Sequence, residues 1–206
     1  ACFEQAGTSL TLFADRNVDR MIFGWEMPAS MTQFFNPFFI ILFGSIFSIM
    51  WVKLSQIGKN PSIPLKFCFG IVQLALGFLL TKLGFQFVNE AYQVPILTLV
   101  FLYMLHTSGE LFLSPIGLSM VTKLSPKSMA GTAMGAWFLS FAIANYAGGK
   151  IAAITGGHGG GEVVSAEAGL LQYLDVFSTI GYVLLVIAAI IFLLNKPIKK
   201  LMHGVE

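Results

Sequence analysis

Charge is the scarcest property of this sequence. Of its 206 residues only 11% are Asp, Glu, Lys or Arg, about half of the roughly 25% found in an ordinary soluble domain. The charges nearly cancel, at a formal +2, so no large basic face exists to hold a phosphate backbone, and nucleic acid is not an expected partner. Cysteine is scarce too: Cys2 and Cys68 both sit in apolar runs, which provides neither a disulfide framework nor a metal cluster. What fills the chain instead is apolar side chain, 56% of residues at a mean hydropathy of +0.79. That balance argues against soluble enzymes and disordered segments, and makes the lipid bilayer the solvent for most of the surface.

A helix needs about 20 predominantly apolar residues to cross the hydrocarbon core. Windows of that kind predict spans at about 31–53, 63–83, 94–121, 129–154 and 172–194. Lys66 and Lys82 fall near the ends of the second window, where long side chains lead their ammonium groups to the interface. The segments between hold the turn residues and most of the charge. Alternate loops face the same side, and one set carries Lys53, Lys59, Lys66, Lys123, Lys127, Lys196, Lys199 and Lys200, with Glu206 as its acid. The opposite set holds Asp15, Asp19, Glu26, Glu90, Glu162, Glu167 and Asp175 against Arg16, Arg20, Lys82 and Lys150. The positive-inside rule makes the lysine set and the C-terminus cytoplasmic. Ahead of these spans, residues 1–14 are apolar but too short to cross, about 20 Å of helix against a ~30 Å core. They read as the outer half of a further helix, and the chain as a piece of a longer protein.

Polar residues inside a membrane need a reason. Glu110 lies in His106-Thr107-Ser108-Gly109-Glu110-Leu111-Phe112-Leu113-Ser114-Pro115, with apolar residues on both sides. An acid at mid-helix costs about 2.5–3.5 kcal/mol on insertion scales, so it calls for a cavity, a partner or a proton; the alternative is a helix that ends early and leaves Glu110 at the interface. Ser114 follows on the same face, and Pro115 removes a backbone hydrogen bond there. Glu4 and Gln5 pose the same question in the partial helix. Asn36, beside Pro37, has either a ligand to contact or a backbone group freed by proline. Trp137 is mid-span, where helix packing competes with a wall for a ligand. Gly131 and Gly135 form a small-xxx-small spacing that permits close helix approach. His106, one turn before Glu110, either tunes it or makes a local hydrogen bond. The glycine run 156–161 with His158 reads as a flexible linker, since it lacks the Lys-Ser/Thr ending of a phosphate loop. His158 and His203 have no companions for a metal site. No nucleophile, base and orienting acid share a location, so catalytic residues are not expected and an enzyme is disfavoured.

Taken in order, Phe3-Glu4-Gln5-Ala6-Gly7-Thr8-Ser9 with Leu12-Phe13-Ala14-Asp15-Arg16, then Phe35-Asn36-Pro37, then Ser108-Gly109-Glu110-Leu111 with Ser114-Pro115-Ile116-Gly117-Leu118-Ser119, then Met134-Gly135-Ala136-Trp137-Phe138-Leu139, resemble the proton-dependent oligopeptide transporter family of the major facilitator superfamily. The resemblance runs from that family's seventh helix to its twelfth. It implies an all-α membrane protein, the C-terminal six-helix bundle of a transporter with its first helix truncated and the N-terminal half absent. It further implies proton-coupled symport of di- and tripeptides by alternating access. The proton is then the coupling ion, and no other cofactor is expected. On this pattern Glu110 would pair with the peptide's amino terminus, Ser114 would line the same pocket, Asn36 would hydrogen-bond the peptide backbone and Trp137 would form an aromatic wall. Glu4 would link proton binding to the outer gate. Ala6 stands where the family often has a further polar residue, and the acidic-basic motif of the family's first helix lies outside this chain. The partners implied are small peptides, the bilayer and the N-terminal six-helix half, in a bacterial inner membrane. A carrier for another solute, such as nitrate or an amino acid, and a non-transporting scaffold subunit are the competing readings. The scaffold predicts that Glu110, Asn36 and Trp137 face other helices or lipid and not one shared cavity.

Overall fold

The computed structural model describes residues 1–156 and 165–202. Among them are six α-helices: α1 Ser9–Asn17, α2 Phe35–Gln56, α3 Ile63–Phe85, α4 Ile96–Leu124, α5 Ala130–Gly156 and α6 Ala166–Leu201. The boundaries have local causes. Pro37 and Pro64 occupy the first turns of α2 and α3, where a missing N–H leaves nothing unsatisfied. Gly58, at φ +65, follows the end of α2, the left-handed exit that glycine takes without strain. The Ser165 hydroxyl caps α6 by accepting from the Ala168 N–H at 3.2 Å. The partial helix expected over 1–14 is two pieces: a 3-10 turn over Phe3–Gly7, a break at Thr8, then α1, which extends to Asn17.

Among the described residues four helical stretches are long and apolar enough to cross a membrane: Ala29–Gln56, which includes a 3-10 turn ahead of α2, then α3, α4 and α6. The window expected at 129–154 is occupied by α5, 27 residues long but not among those four. Its glycines, Asn145, Tyr146 and Lys150 dilute its hydropathy. The run 157–161, with His158, Glu162, His203 and Glu206, lies outside the described residues.

α3 is the hub, packed along its length on both α4 and α6. Lipid tails are as apolar as leucine, so membrane helices associate through close packing that small residues allow. α3 has glycine at every seventh position on its α4 side. A Cβ at Gly70 would stand 2.8 Å from the Gly109 carbonyl oxygen, one at Gly77 would stand 2.5 Å from the His106 ring, and one at Gly84 would overlap Thr98. Gly181 of α6 fits against Leu79 in the same way, at 2.7 Å. Gly131 and Gly135 do not follow this pattern: among the described residues a Cβ at either would have nothing within 4 Å, so the close approach that their spacing permits is not made there. The buried core gathers where α1, α3, α4 and α6 meet. There Phe13 lies 5.3 Å from Tyr173 and 5.5 Å from Phe177, whose ring is 5.4 Å from Phe78.

The acidic end of the bundle is tied together by backbone and amide bonds. Asn17, buried, donates to the carbonyls of Tyr92 and Ala166 at 3.1 and 3.0 Å, so one side chain joins α1, the 86–93 loop and the start of α6. Beside it β1 (Val18–Asp19) pairs in parallel with β4 (Val94–Pro95), and a small hairpin of β2 (Met21–Ile22) and β3 (Trp25–Glu26) follows. Arg20 holds that hairpin through Glu26 at 2.9 Å and the Met27 carbonyl at 2.7 Å. Glu167 keeps the Tyr92 phenol above its usual pKa, first through a hydrogen bond and then through its charge. At the opposite end, Lys66 is turned into the bundle. It is 7% exposed, with Nζ 4.6 Å over the Trp51 ring, a cation–π seat that replaces part of the hydration it gives up.

Candidate functional site

Glu110 lies on α4, half-buried, and Asn36 lies at the start of α2. The Asn36 amide donates to Glu110 Oε2 at 3.0 Å and approaches Thr107 Oγ1 at 3.2 Å. This joins two of the five residues singled out in the sequence and adds a third, Thr107, which is fully buried and sits three positions before Glu110 on the same face of α4. Asn36 therefore spends its amide N–H on a carboxylate of another helix, not on the carbonyl groups around Pro37. The bond occupies one oxygen of Glu110. A carboxylate has two oxygens and about four acceptor positions, so capacity remains for an incoming cation.

α4 divides its polar residues between two sides. The His106 ring meets α3, edge-on to Phe78 with centroids 4.5 Å apart and packed over Gly77, whereas Glu110 reaches α2. His106 thus belongs to the α3 seam. Ser108 also faces α3, donating to Gln73 Oε1 at 2.5 Å.

The other expected residues stand apart from this pair. Ser114 is exposed, one turn beyond Glu110. Trp137 of α5 is half-buried and lays the far edge of its indole where a Cβ on Gly117 of α4 would be, at 2.5 Å. Helix packing is thus part of what Trp137 does. Glu4 lies in the 3-10 turn, half-buried, its Cβ 3.2 Å from where a Cβ on Gly148 would stand. Its neighbour Gln5 is the fully buried residue of the two. Gln5 donates to the carbonyls of Ala1 and Gly148 at 3.1 and 3.3 Å and accepts from Ser9 at 2.5 Å. That network ties the 3-10 turn to α5. Trp137 packs on another helix and Asn36 and Glu110 meet each other between two helices.

Membrane-length helices holding a carboxylate, an amide and a hydroxyl together between them define an integral membrane protein with a polar intramembrane site, a feature that lipid tolerates only at a cost. The chain belongs to the POT family, whose model matches residues 1–159. It is 38% identical to the peptide transporter YePEPT of Yersinia enterocolitica, over 100% of this chain and 39% of that protein. It is 37% identical to the dipeptide and tripeptide permease A of Edwardsiella piscicida, over 98% of this chain and 40% of that protein. Among solved structures, a peptide transporter POT in complex with sulfate superposes with a TM-score of 0.83 at 30% identity, covering 98% of this chain and 39% of that one. Tetrameric PepTSo2 gives 0.79 at 27% identity, over 97% and 40%. The chain therefore has the fold of part of a peptide transporter and spans about two fifths of its relatives' length.

Proposed function

We propose that the protein containing this chain is a proton-coupled symporter of di- and tripeptides that works by alternating access, and that this chain supplies the C-terminal half of its binding cavity. The observation that carries the proposal is the Asn36–Glu110 bond inside a member of the POT family. Relatives named as dipeptide and tripeptide permeases support the substrate class. In this reading the Glu110 oxygen left free by Asn36 accepts from the peptide's ammonium, a charge-assisted bond stronger than a neutral one. Asn36 fixes the carboxylate and offers its own carbonyl to a peptide N–H. Ser114 lines the cavity beyond Glu110, and Trp137, seated on Gly117, bounds it with an aromatic surface. The N-terminal six-helix half supplies the groups that hold the peptide carboxylate.

The proton is the coupling ion. A desolvated carboxylate favours its protonated form, and an approaching ammonium or guanidinium drives that proton off, so one acid links charge binding to proton release. In this reading Glu4, packed against α5 at Gly148, links proton binding to the outer gate. The protein resides in the bacterial inner membrane with its C-terminus cytoplasmic, as the lysine asymmetry between its two ends supports.

The test is uptake of a labelled dipeptide into proteoliposomes of the full-length transporter under an inward proton gradient. Glu110→Gln is expected to abolish uptake while the melting temperature holds. Undiminished uptake would overturn the assignment, and uptake of nitrate or free amino acids in place of peptides would overturn the substrate class.

A further inference from the structure

The seam between α3 and α6 opens, at the acidic end of the bundle, into a groove of about 390 Å³. It is lined by Lys82, Phe85 and Gln86 of and beyond α3, and by Leu174, Asp175 and Ser178 of α6. Three features mark it as built for a ligand. Lys82 and Asp175 face one space without an ion pair between them: Lys82 donates instead to the Tyr182 hydroxyl at 3.1 Å and lies 5.0 Å over that ring, while Asp175 is exposed. Ser178, 5% exposed, has a buried Oγ with no hydrogen-bond partner, and a buried hydroxyl left unsatisfied costs about 1–3 kcal/mol. The volume falls within the range of small-ligand sites, roughly 300–1,000 Å³.

The position narrows the chemistry. α3 stands between α6 and α4, which puts this seam a helix layer away from the Asn36–Glu110 pair on α2 and α4. The stretch of α6 on either side of the groove is apolar and exposed, with Leu171 half open and Tyr182, Val183 and Val186 more than half open. Lys82 lies in the last turn of α3, and Asp175 directly precedes the uncharged run 176–195 of α6, the position relative to an apolar span at which interfacial groups are found. A ligand here meets a cation, an anion and a hydroxyl donor at the top and hydrocarbon beneath.

We propose that this groove binds the headgroup of phosphatidylethanolamine from the surrounding leaflet. The lipid phosphate accepts from Lys82 Nζ and from the Ser178 hydroxyl, its primary ammonium donates to the Asp175 carboxylate, and its acyl chains run down the apolar faces of α3 and α6. A choline headgroup carries the same charges but no N–H to donate, and a glycerol headgroup carries no cation, so the site discriminates against both. The lipid would brace the α3–α6 seam from outside, independently of what the cavity at Glu110 transports.

The experiment is native mass spectrometry of the purified full-length transporter after equilibration with an equimolar mixture of phosphatidylethanolamine, phosphatidylcholine and phosphatidylglycerol of identical chains. Wild type is expected to retain phosphatidylethanolamine over the other two by about tenfold, the ratio one charge-assisted hydrogen bond supports. Asp175→Asn should erase the preference over phosphatidylcholine, and Lys82→Gln should lower retention of all three. Equal retention of the three lipids by wild type would overturn the proposal whether or not the variants fold. So would variants of unchanged melting temperature that keep the wild-type preference. Peptide uptake is not the readout, so failure here is separate from failure of the transport reading.

Discussion

The two sides of α4 are built on opposite terms. Toward α3 it meets glycines so closely that Gly70 and Gly109 exchange backbone contact, with His106 and Thr98 filling the other glycine notches. Toward α2 it offers Thr107 and Glu110, held by a single amide, and α2 itself buries only Phe39. The first side loses contacts or clashes with any added atom. The second has polar capacity left over. Fold is carried by the side with no room, and chemistry by the side that has it.

The sharpest way to break that comparison is at Gly109. A Cβ there would stand 2.6 Å from the Gly70 carbonyl oxygen, and backbone does not move aside as a side chain does. Gly109→Val is expected to destabilise the full transporter by ~3 kcal/mol, the upper range of overpacking, read as a lowered melting temperature and poor recovery from detergent. Next comes Asn17, whose two buried bonds close the acidic end: Asn17→Ala should cost about 1–3 kcal/mol by the same thermal measurement. On the open side the effect should appear in function and not in stability. Asn36→Ala is expected to weaken peptide affinity about tenfold, by isothermal titration, with little change in melting temperature. The smallest effect is expected at Gly135, where an added Cβ would meet nothing within 4 Å among the described residues: Gly135→Ala should leave stability unchanged or raise it by up to ~1 kcal/mol, as helix propensity dictates. A large loss there would mean that Gly135 packs against the other half of the transporter.

How much of this was legible in the sequence follows from what each feature depends on. Membrane solvent and most helix positions depend on local hydropathy, so uncharged windows locate them; α5 falls short because its glycines and polar residues lower hydropathy without shortening the helix. Glu110 and Asn36 were visible singly as polar residues in apolar runs, and the family resemblance brought them into one site. Their bond, joining residues 74 positions apart, was not visible. The glycine ladder of α3 was hidden by abundance, since 21 glycines make many spacings, and a Cβ on either member of the pair with packing-motif spacing, Gly131 and Gly135, would meet nothing within 4 Å among the described residues. Lys66 reads from its position only as a helix-end lysine; the Trp51 ring it packs on lies on another helix, which no local pattern shows. The groove at Lys82 and Asp175 depends on two helices whose sequences are far apart, and no local pattern encodes it.

The central claim is that Glu110 receives the peptide's amino terminus, and binding of dialanine and N-acetyl-dialanine to wild type and to Glu110→Gln tests it as a double-mutant cycle. Acetylation removes the ammonium and the substitution removes the carboxylate. Each change alone should lower affinity by about tenfold or more, and both together should lower it no further than one. Additive losses, or an acetylated peptide that binds wild type as well as dialanine does, would contradict the account.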